Sequence, residues 1–157
     1  MSYALIDTPL GPIGLRWERA TLTGVDLEPA PAASPDAAPP PAIARSLADY
    51  FADGRTPLEV PVALGGTPFQ QRVWAALRAI PPGQTRTYGE LARALGSAPR
   101  AVGQACRANP CPLAVPCHRV VGATGLGGFA GDRSGRKLAV KRWLLRHEGA
   151  PVAADGI

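Results

Sequence analysis

The chain has 157 residues, 46% of them hydrophobic and 18% charged, enough for one substantial core or two small units. No run approaches the roughly 18 consecutive apolar residues of a membrane span. Asp7 and Pro9 interrupt any basic-then-apolar signal pattern at the N-terminus, so the three cysteines point to a reducing, cytoplasmic setting rather than a disulfide scaffold. The net charge of +5 is unevenly spread: residues 1–61 carry eight acidic and four basic residues, and residues 62–157 carry four acidic and thirteen basic ones. Fifteen of the 17 basic residues are arginines, whose forked donors suit phosphate. The second half is therefore either a nucleic-acid surface or an ordinary solvated basic face.

In chain order, Tyr3-Ala4-Leu5-Ile6, Ile13-Gly14-Leu15-Arg16-Trp17 and Leu22-Thr23-Gly24-Val25-Asp26-Leu27 read as short strands, separated by Pro9-Leu10-Gly11-Pro12 and Glu18-Arg19. Residues 29–41, rich in Pro and Ala, hold neither helix nor central strand and read as an exposed connection. A helix is expected over 42–51 with Ile43, Leu47 and Tyr50-Phe51 on one face, followed by a strand or a tether over 58–64. Thr67-Pro68 caps a helix whose apolar face is Phe69, Val73, Trp74, Leu77 and Ile80, and Pro81-Pro82-Gly83 ends it. Thr87-Tyr88-Gly89-Glu90 has capping-box spacing and opens a helix that stops at Gly96, after which Ser97 caps another that runs to Ala108.

Two short helices joined by a tight Gly-containing turn, the second carrying Arg100, Gln104 and Arg107 along one stripe, read as a helix-turn-helix or as a helical hairpin with a charged outer face. Small residues such as Ala101, Gly103 and Ala105 would allow close approach to DNA. The segment 122–135 holds six glycines and is either a ligand-closing loop or a flexible connection. A last helix is expected over 136–147, burying Leu138, Trp143 and Leu144.

Chemistry concentrates at Pro116-Cys117-His118-Arg119-Val120. A free thiol ionises near pH 8.5, and an adjacent imidazole that takes its proton supplies thiolate near neutrality. Pro116 fixes its own φ and biases Val115 to extended backbone, so Cys117 is expected to leave a strand or a rigid turn. On a strand, neighbouring side chains point to opposite faces, which favours a proton relay through water over direct Cys117–His118 contact. By itself a cysteine here is equally a small buried apolar residue.

The ordered set Thr67-Pro68-Phe69-Gln70, Thr87-Tyr88-Gly89, Arg100-Ala101-Val102-Gly103, Asn109-Pro110, Pro116-Cys117-His118-Arg119-Val120 and Trp143-Leu144-Leu145-Arg146-His147-Glu148-Gly149 resembles the O6-alkylguanine-DNA alkyltransferases. The resemblance covers roughly residues 67–150. It implies an α+β protein: a small, trimmed ribonuclease H-like, β-rich unit over 1–62, then a mostly helical DNA-binding and alkyl-transfer unit with a helix-turn-helix over 63–157. It also implies suicidal, single-turnover repair, in which an alkyl group on guanine O6, with thymine O4 as a second candidate, moves from a flipped-out base to Cys117.

By the same resemblance His118 is the base acting through water and Glu148 orients it. Tyr88, Asn109, Val120, Phe129 and Ala130 surround the base, while Arg100, Ala101, Gln104, Arg107 and Arg119 contact DNA, with Arg100 filling the gap left by the extruded nucleotide. The partner is double-stranded DNA read in the minor groove by a monomer, with clustering of copies along DNA left open. No cofactor and no metal are implied. The spacing of Cys106, Cys111 and Cys117 matches no common zinc pattern. Phe129 stands where the family commonly has tyrosine, residues 132–136 lengthen the following loop, and Cys111 is an extra thiol. Three rivals are alkyltransferase-like proteins that flag damage without repairing it, a helix-turn-helix regulator, and a thiol hydrolase using Cys117 with His147. Cys117 argues against the first and the motif order against the last.

Overall fold

Two-residue turns fold the N-terminal strands into an antiparallel meander. The computed structural model describes residues 2–30, 34–123, 125 and 136–151. Strand β1 (Ser2–Thr8) pairs with β2 (Gly11–Glu18), which pairs with β3 (Thr21–Asp26), in the sheet order β1-β2-β3. At the first turn the Thr8 hydroxyl donates to the Gly11 carbonyl at 2.7 Å and accepts from the Leu10 amide at 3.0 Å. Gly11 sits at φ 93°, where a side chain would be strained. Ala4, Ile13, Leu15, Trp17, Leu22 and Val25 are buried. The Pro/Ala connection is exposed or half-buried where it is described, and Asp36 ties it to β1: its amide donates to the Tyr3 carbonyl and its carboxylate accepts from the Tyr3 amide.

Helix α1 (Pro41–Ala52) buries Ile43, Leu47 and Tyr50, the face expected from its periodicity. Residues 58–64 form a tether carrying a single parallel bridge to β3, between Leu22 and Val62. Helix α2 (Pro68–Arg78) starts with a full capping box between Thr67 and Gln70 and buries Val73, Trp74 and Leu77. Helix α3 (Tyr88–Leu95) starts with a second, between Thr87 and Glu90, and ends at Gly96 with φ 65°.

The start of α4 (Pro99–Arg107) differs from expectation. Ser97 does not cap it: its amide closes α3 on the Ala92 carbonyl at 2.8 Å, and Pro99 takes the first helical position, which makes Ala98 the N-cap, without a side-chain bond. The Trp74 indole donates to the Ala105 carbonyl at 2.9 Å and braces α4 on α2.

Of the strand or rigid turn expected before Cys117, the structure has the turn. A 3-10 turn spans Cys117–Arg119, followed by the short β5 (Val120–Val121), parallel to β4 (Arg86–Thr87). Helix α5 (Arg136–His147) closes the described chain. One hydrophobic cluster runs from Ala4 and Leu15 in the sheet through Leu47 in α1 and Trp74 in α2 to Val102 in α4 and Leu144 in α5. It passes the expected boundary between residues 62 and 63 without a break. Among the described residues no helix is long and apolar enough to cross a membrane.

Candidate active site

Pro116 shapes the approach to the thiol. With φ −80° and ψ 68°, and with the Cys117 amide donating to the Val115 carbonyl at 2.8 Å, it is the centre of an inverse γ-turn. The same Val115 carbonyl accepts from the Asn109 side-chain amide at 2.8 Å, while Asn109 Oδ1 accepts from the Cys111 amide at 2.9 Å. Asn109, just beyond the end of α4, thus fixes the loop that presents Cys117. The following 3-10 turn spaces side chains by about a third of a turn. Cys117 and His118 therefore diverge without the strand alternation expected from sequence.

Cys117 is buried, with 5% of its surface exposed. Burial pushes its thiol above the ordinary range, and the Asn109 amide and the Lys141 charge pull against that rise. The other two thiols, Cys106 and Cys111, are pushed up to about 12, chiefly by burial.

His118 and Glu148 form the centre of a buried polar network. Imidazole Nε2 lies 2.7 Å from Glu148 Oε2, and Nδ1 is buried with no hydrogen-bond partner among the described residues. Burial lowers the His118 pKa, against the raising influence of Glu148, and Arg119 and Lys141 lower it further. A neutral ring that donates from Nε2 to the carboxylate leaves its Nδ1 lone pair as a proton acceptor. Burial alone would raise Glu148, but the hydrogen bonds from His118 and Arg119, together with the Arg119 charge, outweigh it and bring it down to about 2.

Arg119 is not placed for DNA. It is buried, forks onto Glu148 through Nε–Oε1 at 2.8 Å and Nη2–Oε2 at 2.9 Å, and gives its third donor to the Ile80 carbonyl at 2.6 Å. The expectation that Arg119 contacts the backbone of a nucleic acid is overturned: a carboxylate at the C-terminal end of α5 opposes the helix dipole, and this guanidinium is what holds it there.

Of the other residues named from sequence, Arg100, Gln104 and Arg107 are exposed along α4, Ala101 is half-buried beside them, and Tyr88 is half-buried at the start of α3. Val120 is buried and its carbonyl accepts from Lys141 Nζ at 2.7 Å. Phe129 and Ala130, with most of the glycine-rich segment, lie outside the described residues. Among the described residues no group of three or more His, Cys, Asp or Glu side chains could hold a metal ion.

Two residues escaped the sequence reading. Lys141 is fully buried, its ammonium lies 5.9 Å from the centroid of the Tyr88 ring, and burial lowers its pKa to about 8 while Cys117 and Cys106 raise it. The available signal was a lysine on the apolar stripe of α5, three residues after Leu138 and three before Leu144. Tyr50 was read as packing, yet its hydroxyl donates to Glu148 Oε2 at 2.6 Å.

A family model described as the DNA binding domain of 6-O-methylguanine DNA methyltransferase matches residues 68–150, more than half of the chain. The chain belongs to this family. A methylated-DNA–protein-cysteine methyltransferase of Mycobacterium bovis is 41% identical over 98% of this chain and 95% of its own length. One from Salmonella typhimurium is 52% identical over 70% of this chain; that match spans 64% of the Salmonella protein's length. The crystal structure of Mycobacterium tuberculosis OGT in complex with DNA superposes with a TM-score of 0.81 at 41% identity, covering 95% of this chain and 94% of that one. The fold, a small antiparallel sheet with helices, is the one this family member has.

Proposed function

We propose that the protein repairs DNA by moving an alkyl group from O6 of guanine to Cys117, once per molecule. The observation that carries this reading is the arrangement of thiol, imidazole and carboxylate: Cys117 on a turn fixed by Asn109, and His118 held through Nε2 by a carboxylate, with Nδ1 unpartnered among the described residues. His118 takes the thiol proton through a water. The sulfur then attacks the alkyl carbon, the S–C bond forms as the C–O bond breaks, and guanine leaves as an anion that the Tyr88 hydroxyl protonates or stabilises. Lys141 favours the thiolate. The acceptor is not regenerated, so turnover is single.

The target atom lies inside a duplex, so the nucleotide must be extruded, at a cost of a few kcal/mol. The partner is thus double-stranded DNA carrying O6-alkylguanine, approached by a monomer in the minor groove. In this reading α3, residues 96–98 and α4 act as a helix-turn-helix that presents Arg100, Gln104 and Arg107, with small Ala101 and Gly103 allowing close approach. Residues 1–62 form a trimmed ribonuclease H-like support, suggested by the three-stranded meander followed by α1. Residues 63–157 form the alkyl-transfer unit.

Intact-mass measurement after mixing with a duplex containing O6-methylguanine tests the reading. Stoichiometric gain of one methyl, absent in Cys117→Ser, is expected. Tight binding with no mass gain would overturn it in favour of a damage-flagging role.

A further inference from the structure

One hydroxyl joins α1 to the base of the proposed reaction. Tyr50 is 1% exposed, and its hydroxyl donates to Glu148 Oε2, the same oxygen that meets His118 Nε2. Counting the two Arg119 donors, Glu148 receives four hydrogen bonds. Three of them, from Tyr50, His118 and Arg119 Nη2, converge on Oε2, so each of these donors draws on charge that the others share.

The phenol is held at both ends. The His147 ring donates through Nε2 to the Tyr50 carbonyl at 2.7 Å and packs edge-on to the Tyr50 ring with centroids 5.3 Å apart. Gly54, just past α1, lies so close to the His147 carbonyl that any side chain there would collide with it. The end of α1 is therefore locked against the end of α5, and the hydroxyl is aimed at the carboxylate rather than merely finding a partner there.

We propose that Tyr50 is a positioning residue that sets the basicity of His118 through Glu148, so that a side chain of α1 tunes proton transfer from Cys117. Other charged groups facing the imidazole are Glu148 and Lys141 from the α5 side and Arg119 from its own turn; Arg45 and Asp49 of α1 are exposed. Removing the phenol's hydrogen bond leaves more charge on Glu148 for His118. The imidazolium is then stabilised, and the proton is released to a higher pH. For its kinetic readout the inference rests on the alkyl-transfer reading.

The test is Tyr50→Phe, which keeps the ring. Two measurements are made on the full chain: the pH dependence of transfer from free O6-benzylguanine to Cys117, and the NMR titration of the His118 ring, which needs no activity. The acid limb of the rate and the His118 midpoint should both move up by about one pH unit, the size of shift a lost hydrogen bond to a charged partner produces. Tyr50→3-fluorotyrosine, a stronger donor in nearly the same volume, should move both down and covers the case in which the phenylalanine variant does not fold. Unmoved His118 titration in a folded variant would overturn the proposal and leave Tyr50 a packing residue. A shifted titration in a protein that never alkylates Cys117 would support the positioning role and sink the alkyl-transfer reading instead.

Discussion

Arg119 Nε lies 2.8 Å from Glu148 Oε1, in a pair from which water is nearly excluded, so the arginine next to the proposed base belongs to the protein's interior. Removing one partner of such a pair leaves the other charge buried alone, a loss of about 3–5 kcal/mol. Arg119→Ala should lower the urea midpoint accordingly while leaving the salt dependence of DNA binding as in the wild type. Arg100→Ala should do the reverse. Its stability should stay within about 0.5 kcal/mol, the slope of log affinity against log salt should fall by about one, and reaction with free O6-benzylguanine should persist. Equal salt slopes for the two variants would place Arg119 at the DNA after all.

Glu148 also sets how the fold responds to acid. Its carboxyl sits at about 2 in the folded protein against 4.5 ordinarily, so the stabilisation it contributes is present above about 4.5 and is lost as pH falls toward 2. His118, held neutral by burial, adds a loss in the same direction once pH drops below its ordinary 6.5. Unfolding free energy measured from pH 7 to 2.5 should therefore fall in two stages. Glu148→Gln, less stable throughout, should lack the lower stage.

Lys141 and Cys117 are both buried, and a cation in such surroundings lowers the energy of a thiolate more than it could in water. Lys141→Met should raise the midpoint of Cys117 ionisation, followed by thiolate absorbance in a variant lacking Cys106 and Cys111. It should also slow alkyl transfer at neutral pH, with the rate recovering as pH rises. An unchanged midpoint would show that the ammonium does not act on the thiol.

Alkylation itself should weaken the fold. An S-methyl group added to a thiol with 5% exposure needs room that a packed interior lacks, and overpacking costs about 1–3 kcal/mol. The melting temperature after stoichiometric methylation should drop by several degrees. No change would mean that the pocket holds the product without rearrangement.

What could be read from sequence was what is decided locally. Thr67 with Pro68, Thr87 with Glu90, and Gly96 each settle a helix end within four residues, and all three stand where their spacing put them. Ser97 misled because Pro99, and not the residue after Ser97, takes the first helical position, which moves the cap to Ala98. Pro116 announced a stiff backbone, but its ψ, which makes the γ-turn, depends on Asn109 holding the Val115 carbonyl from outside the segment. Arg119, Lys141 and Tyr50 were illegible for a common reason. Each is polar at a position whose burial is set by distant elements, and their partners lie 29, 21 and 98 residues away.

The unbroken cluster from Ala4 to Leu144 has a consequence for how the molecule comes apart. Two halves that share apolar contacts, and that also share the donors of one carboxylate, have little reason to melt separately. Trp17 in the sheet, Trp74 in α2 and Trp143 in α5 should report the same denaturant midpoint as the far-ultraviolet helix signal, a single cooperative transition. A protease given the native protein should then find no intermediate that retains the alkyl-transfer half alone. The tether at 58–64 would be a place where the chain is long enough to cut, but not where the fold is weak enough to part.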